Sequence, residues 1–398
     1  MNDRFRLKLG GLKKELISFS MELQNLFYSK ILYDSFAEKI CRQMNALGYD
    51  YVEKDPSGNI LGIIKGYKQE KKVVVIASID LQENLSDNQY VYCFDSQDRN
   101  YFPGIIASLF TGGLLKRSIT PLLGDVFVCV VPRHNDHDFT IRSLFDTYFR
   151  ESLPEAVILA EPTGYKVFHG NRGRMEYEIV VKGDFPETTK EHGPVETLYP
   201  VLSTLSDYSA QLPEDSDLGK AQLAIKNCYR SSWPAEAKTS EYHLSIERSF
   251  LPTENKELIF NKAKELARNA YGRNNLVYVT TEHGKRNITA LNKDSVSSVN
   301  EYRAWKMSDQ NPLVLDACSV LKENGFEKTT GCWKKRITQG SYTYGVLGIP
   351  TIGFGLGYED SFTGDFTIEE IEKSIFGKAL IINRAIGYPS FGWSDDDF

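Results

Sequence analysis

The chain has 398 residues, of which 41% are hydrophobic and 25% are charged, and its formal net charge is −6. This length suffices for two domains with a large core, and the negative charge argues against a general nucleic-acid-binding protein, which would usually present a basic face. The sequence has no run of about 18 apolar residues, so we predict no membrane-spanning helix.

The first 165 residues alternate between helical and strand-like patterns. Asp34 is placed to cap a helix in which apolar residues recur at helical spacing until Gly48. This alternation predicts an α/β domain with a largely parallel sheet, in which ligands bind at the carboxyl ends of the strands. The main predicted elements are the strand VVVIASID (73–80), the helix PGIIASLFTGGLLK (103–116), the strand DVFVCVV (125–131), the helix 141–150 and the strand AVILAEPT (156–163).

The middle of the chain has a different pattern, in which strands with alternating polarity are separated by two helices. A strand–helix–strand–helix–strand block predicts a second, smaller α+β domain inserted in the first. The α/β style returns after about residue 300, with the helix PLVLDACSVLKENG and the strand IPTIGFG. The inserted elements are RMEYEIVVKG (174–183), a helix at 195–212, EYHLSIERSF (241–250), a helix at 254–272 and NNLVYVTT (274–281).

Five segments, in the same order along the chain, resemble the M20 metallopeptidase family and most closely its YgeY-like and acetylornithine-deacetylase-like branch. They are DPSGNILGIIKG, PEAVILAEPT with GNRGRMEYEIVVKG, SIERSF, YRAWKMSDQNPLV and ITQGSYTYGVLGIPTIGFGLG. The resemblance implies a zinc-peptidase-like α/β fold with a mixed sheet, formed by residues 1–180 plus 296–398. It also implies that residues 181–295 form an inserted lid domain that carries a dimer contact.

Members of this family hold two zinc ions with five side chains and use a glutamate as general base, so the resemblance also indicates where these residues should be. Serine, asparagine and phenylalanine are poor zinc ligands, and the last ligand cannot be recovered by realignment because no histidine follows His283. The family's ligand positions fall on Ser78, on Asn100 or Tyr101, on Asp136, on Glu161 and on Phe362, with the base near Asn135 and an orienting aspartate retained as Asp80.

The leading hypothesis is therefore a catalytically degenerate member of this fold, without a cofactor and with a binding, scaffolding or regulatory role. The alternative is a metal-dependent amidohydrolase or peptidase acting on N-acyl amino acids or dipeptides through a rebuilt site. In that alternative the cluster RHNDHD supplies His134 or His137, with Asp136 and Glu161, to one zinc ion. Asp138 or Glu187 would then act as the base. A third hypothesis is a metal-free enzyme that uses other residues of the same cleft.

Some residues of the family's substrate-binding rim are retained, namely Arg248, Arg174, Thr338 and Gly340. Arginine suits bidentate binding of a carboxylate, so a cleft for a small acidic ligand is one interpretation. The other is that the arginines hold the hinge and lid together. His192 is a candidate for a displaced lid histidine, although a surface role is the more ordinary one.

The expected partner is a second copy of the chain, bound through the lid domain, or else an active relative or pathway enzyme in a heteromer. We expect neither nucleic acid nor membrane as a partner. The six cysteines are scattered without a CxxC motif, which indicates reduced thiols and a cytoplasmic location.

Overall fold

The structure is a computed structural model, which describes most but not all residues of the chain. The described residues are 2–28, 33–67, 71–86, 89–93, 102–118, 122–134, 139–183, 194–231, 240–271, 277–283, 285–289, 295–299, 301–359 and 366–387.

Helices predominate at the two ends of the described chain, and strands predominate in its middle. The helices are α1 (Asn2–Tyr28), α2 (Tyr33–Leu47), α3 (Phe102–Arg117), α4 (Phe139–Tyr148), α5 (Pro194–Ala210), α6 (Lys256–Asn269), α7 (Pro312–Glu323), α8 (Gly340–Thr343) and α9 (Ile368–Ile386). The strands are β1 (Tyr51–Lys54), β2 (Ile60–Ile64), β3 (Lys72–Ser86), β4 (Gln89–Cys93), β5 (Asp125–His134), β6 (Ala156–Leu159), β7 (Val167–Asn171), β8 (Gly173–Gly183), β9 (Glu214–Asp215), β10 (Gly219–Lys220), β11 (Leu223–Arg230), β12 (Ser240–Phe250), β13 (Val277–His283), β14 (Lys285–Thr289), β15 (Ser295–Val299), β16 (Glu301–Tyr302), β17 (Trp305–Lys306), β18 (Thr330–Trp333) and β19 (Thr351–Gly353).

The chain divides into two compact units. The first consists of Met1–Gly170, Thr289–Asp294 and Lys306–Phe398, and the second of Asn171–Ile288 and Ser295–Trp305. The second unit is thus inserted in the first, as an M20-like lid would be. Its role as a lid stays a prediction.

The first unit is built on a mixed sheet with the order β1-β2-β5-β3-β6-β19-β7-β17. Its central strands β5, β3, β6 and β19 run parallel, whereas β2 joins β5 in antiparallel fashion. The central strands are continuous apolar runs because helices cover them, and α9 packs against α3 and α7. The α/β fold with a mixed sheet that the M20 resemblance implies is confirmed. The largely parallel sheet expected from the alternation of helices and strands holds only for the central strands.

The second unit has the sheet order β11-β12-β8-β13, all paired antiparallel, with β16 also on β8. Alternate residues of β8 and β12 pack against α5 and α6, which explains the period-two pattern in the sequence. Tyr177, Ile179 and Leu244 belong to this core on the sheet side, and Val201 and Ile259 on the helix side.

Several elements differ from the sequence-based predictions. The strand expected to end at Asp80 continues to Ser86, because β4 pairs with its second half as a hairpin. β11 and the long helix α9 were not predicted. Gly48 does end α2, with a φ of 89° that favours glycine.

None of the helices within the described ranges is long and apolar enough to span a membrane.

Candidate functional site

The candidate site lies at the carboxyl ends of the parallel strands of the first unit. In the register of β3 with β5, Ser78 is opposite Val131 and Asp80 is opposite Arg133. β6 lies on the other side of β3, with Leu159 opposite Ile76 and Glu161 two residues further along the chain. The pairing of these strands therefore brings Ser78, Asp80 and Glu161 to one edge of the sheet.

Asp80 is bound by an arginine on the neighbouring strand. Arg133 Nε donates to Asp80 Oδ1 at 2.6 Å and Arg133 Nη2 donates to Asp80 Oδ2 at 3.0 Å. The third guanidinium nitrogen, Nη1, donates to the carbonyl oxygen of Ile337 at 2.9 Å. The Arg133 side chain is only 9% exposed, so this bidentate contact supplies the counter-charge that a nearly buried cation needs.

Glu161 is bound by a second arginine. Its carboxylate is 1% exposed, and Arg336 Nη1 lies 3.2 Å from Oε2. The other oxygen, Oε1, is buried and has no hydrogen-bond partner among the residues that the structure describes, and the same holds for Ser78 Oγ on the next strand. A buried carboxylate needs a compensating cation or hydrogen-bond donors, and Arg336 supplies the cation.

The loop that carries Arg336 is itself fixed by a carboxylate. Glu359 accepts the backbone N–H groups of Lys334, Lys335 and Arg336. Just before this loop, Trp333 Nε1 donates to the carbonyl oxygen of Pro162, beside Glu161, at 2.9 Å. The backbone of Arg336 is thus held independently of its contact with Glu161.

The turn after Glu161 packs closely on the GFGLG loop. A side chain at Gly355 would place its Cβ 2.3 Å from the carbonyl oxygen of Glu161, so only glycine fits there. Thr163 Oγ1 accepts from Gly355 N at 3.0 Å, and Tyr165 N donates to Gly355 O at 2.9 Å. Tyr165 has a φ of 62°, an uncommon value for a residue with a side chain. These contacts fix the position of Glu161.

The described side chains are a poor match for a two-zinc centre. Ser78 offers a neutral hydroxyl at the position where the M20 resemblance implies an imidazole. Asp80 and Glu161 are each in contact with a guanidinium, whose charge would repel a nearby dication. Within the described residues, no group of three or more His, Cys, Asp or Glu side chains is arranged to hold a metal ion.

Other residues singled out in the sequence lie outside the described part of the chain. His134 is described only as the last backbone position of β5. The remaining ones, all outside the described residues, are Asn100, Tyr101, Asn135, Asp136, His137, Asp138, Glu187, His192 and Phe362. The rebuilt one-zinc site therefore stays a prediction.

The predicted rim arginines lie in the second unit. Arg248 is wholly buried, and its Nη2 donates to Glu254 Oε1 at 2.6 Å. Arg174 lies over the ring of Tyr302, 5.1 Å from the centroid, with Nη1 3.9 Å from Glu247 Oε2. These contacts lie within the second unit. A role of the arginines in holding the hinge and lid together and a role in ligand binding both stay predictions.

Thr338 and Gly340, the other two rim residues, are buried in the first unit at the start of α8. Thr338 Oγ1 accepts the backbone N–H of Gly340 at 3.2 Å. Their turn directly follows Ile337, the carbonyl partner of Arg133. Their role in substrate binding also stays a prediction.

Sequence reasoning missed the roles of Arg133, Arg336 and Glu359. Arg133 stands at the head of the RHNDHD cluster, where the metal-capable side chains that follow it are the more conspicuous candidates. Arg336 is 175 positions from Glu161 in the chain, and no local pattern indicates the pair.

A known protein is similar to this chain in sequence over most of its length. The Escherichia coli K12 protein YgeY, described as uncharacterized, is 26% identical over 340 residues, which are 81% of this chain and 81% of YgeY. No family model matches the chain.

Several solved structures have a fold similar to that of this chain. Aminopeptidase PepT of Bacillus cereus has a TM-score of 0.65 at 14% identity, covering 94% of this chain and 99% of PepT. The Saccharomyces cerevisiae dipeptidase Dug1p has a TM-score of 0.66 at 12% identity, covering 98% and 99%. Bacillus subtilis YXEP, a dinuclear metal-binding peptidase of the M20 family, has a TM-score of 0.64 at 12% identity, covering 94% and 98%. The predicted resemblance to M20 peptidases is confirmed at the level of the fold.

Proposed function

Starting from a chain with the fold of M20 peptidases, we propose that this protein is a catalytically degenerate member of that group. It keeps the scaffold and acts in binding, scaffolding or regulation, without a zinc centre. The observation that supports this most directly is the pairing of Asp80 with Arg133 and of Glu161 with Arg336.

The physical argument concerns charge. A zinc centre places two dications among carboxylates and imidazoles, with an open position for water. Here the carboxylates of Asp80 and Glu161 are each paired with an arginine side chain, which carries a single positive charge. A guanidinium can neutralise a carboxylate, but it cannot lower the pKa of a bound water or polarise a carbonyl as a Lewis acid does.

The proposed partner is a second copy of this chain or a heteromeric partner, bound through the inserted unit. β11 is an edge strand of that unit's sheet, and its residues from Ala224 to Arg230 are exposed. Ile225 and Tyr229 are each 43% exposed on this strand. An exposed edge with apolar side chains is a common site for strand pairing between chains.

A cytoplasmic location is part of the same proposal. Cys41, Cys129, Cys228 and Cys318 are free thiols, as expected in a reducing compartment.

The test is metal analysis of the purified full-length protein, beside assays on N-acyl amino acids and dipeptides. We expect less than stoichiometric zinc and no hydrolysis that chelation abolishes. Stoichiometric metal that is lost on chelation together with a hydrolytic activity would overturn the proposal.

The alternative is a hydrolase with one zinc held by His134 or His137, Asp136 and Glu161. It is kept because the four residues after His134 lie outside the described residues. Substituting His134 and His137 together by alanine would abolish metal binding under this alternative. Unchanged metal content in that variant would exclude it.

A further inference from the structure

A cavity in the second unit is lined by residues of that unit alone. Its volume is about 280 Å³, which suits a ligand somewhat smaller than a typical drug. The lining residues come from the first turns of α6 and from three strands of the sheet. They are Met175, Lys256, Glu257, Phe260, Asn261, His283 and Glu301.

The cavity lies where one strand replaces another on the edge of β8. β13 pairs with β8 as far as His283, opposite Tyr177, and β16 pairs with β8 from Glu301, opposite Met175. β13 and β16 thus follow each other along the same edge of β8, and α6 packs against β13 and β8.

The apolar part of the cavity is preformed. Met175 is 2% exposed. The ring of Phe260 is stacked on that of His283, with centroids 4.0 Å apart and planes at 14°, and Tyr177 meets Phe260 edge-on. Because neighbours hold the Phe260 ring on two sides, this wall keeps its shape without a ligand.

The polar rim carries both signs of charge. Lys256 Nζ lies 2.7 Å from Glu301 Oε1, and the two side chains are 40% and 19% exposed. Glu257 and Asn261 add a carboxylate and an amide from α6. Lys256 is also the first residue of α6, so the positive end of the helix dipole reinforces its charge. A pure anion would meet two carboxylates here, and a pure cation would meet Lys256.

We propose that this cavity binds a free α-amino acid with an apolar side chain. The ligand's carboxylate lies at Lys256 and the start of α6, and its ammonium group lies at Glu301 and Glu257. The apolar side chain contacts Met175 and Phe260. The proposal does not depend on the state of the strand-end site, so either can fail without the other.

The experiment is calorimetric titration of the full-length protein with L-leucine as the probe. N-acetyl-L-leucine lacks the ammonium group and L-leucinamide lacks the carboxylate. Each analogue should bind at least about tenfold more weakly than leucine, because a charge-assisted hydrogen bond is worth about that factor or more.

Two variants test whether leucine binds in this cavity. Lys256→Met should weaken leucine binding at least about tenfold, and Asn261→Trp, at an exposed rim position, should block it by filling the space. Lys262→Met is the matched control, since Lys262 is an exposed lysine on the same helix that pairs with Glu265. It should leave the affinity unchanged.

Absence of binding heat with leucine at millimolar concentrations would overturn the proposal. Equal binding by the wild type and by Asn261→Trp would do so too, since the ligand would then lie elsewhere. If Lys256→Met failed to fold, Asn261→Trp and the two analogues would still decide the outcome.

Discussion

Asp80 and Arg133 face each other on neighbouring parallel strands and are joined by two hydrogen bonds of 2.6 and 3.0 Å. The arginine thus lies against the aspartate that the M20 resemblance assigns to orienting a zinc-bound histidine. Together with Arg336 and Glu161 it makes the strand-end site a set of internal ion pairs.

Substituting Asp80→Asn should destabilise the protein by about 2 kcal/mol, because Arg133 is left nearly buried without its counter-charge. The effect should fall below that of a fully buried pair because Asp80 is 33% exposed. Urea denaturation measures it. Glu155→Gln is the control, since its pair with Lys71 spans 3.8 Å and is about half exposed, so a change below about 0.5 kcal/mol is expected.

Arg336→Met should cost roughly 3 kcal/mol, because the carboxylate of Glu161 would remain buried without a cation. The double variant Glu161→Gln with Arg336→Met should recover most of this loss, since no charge then remains unpaired. A double-mutant cycle measured by chemical denaturation gives the coupling free energy between Glu161 and Arg336. Additive effects of the two substitutions would contradict the assigned contact.

Gly355→Ala should destabilise the first unit by about 2 kcal/mol or more, because its Cβ would lie 2.3 Å from the backbone oxygen of Glu161. The comparison is Gly10→Ala in α1, where open space surrounds the new methyl group. That change should stabilise the helix by about 0.5–1 kcal/mol. Thermal and urea unfolding of both variants test whether Gly355→Ala lowers stability and Gly10→Ala raises it.

We predict that the buried Lys378 makes the stability of the protein depend on pH. Its side chain is wholly buried in α9, its Nζ donates to Ser374 Oγ at 2.9 Å, and burial lowers its pKa to about 7 from 10.5. Between these two pKa values the unfolded chain binds the proton and the folded chain does not, so stability should rise as the pH rises from 7 to 10.5.

Replacing Lys378 by methionine should remove this slope and stabilise the protein at pH 7 by roughly 2–4 kcal/mol. Urea unfolding at several pH values tests both effects. Lys322→Met, at an exposed position on α7, should leave the slope intact. If stability still rises with pH to the same extent in Lys378→Met, the pH dependence arises from another titratable group.

The proposed dimer predicts an effect at β11. Ile225→Glu places a charge on an exposed edge-strand residue and should shift the protein from dimer to monomer at micromolar concentration. Sedimentation velocity measures this. Val346→Glu, at a similarly exposed position of the first unit, should leave the dimer intact. A wild-type protein that sediments only as a monomer would count against the interface.

The order of elements could be predicted from the sequence, because each depends on local periodicity. The runs at 73–80 and 125–131 lie within strands, and the first half of the run at 156–163 forms the strand Ala156–Leu159. The absence of any histidine after His283 also needs no structure, since it does not depend on alignment register. Such features are encoded in neighbouring residues or in composition.

The tertiary structure alone decided what surrounds the retained carboxylates. Arg133 meets Asp80 because of the register between β3 and β5, and Arg336 meets Glu161 because Glu359 and Trp333 hold its loop beside the strand end. These pairs join residues 53 and 175 positions apart. Contacts at such separations follow from strand order and loop path, which single-sequence periodicity does not specify.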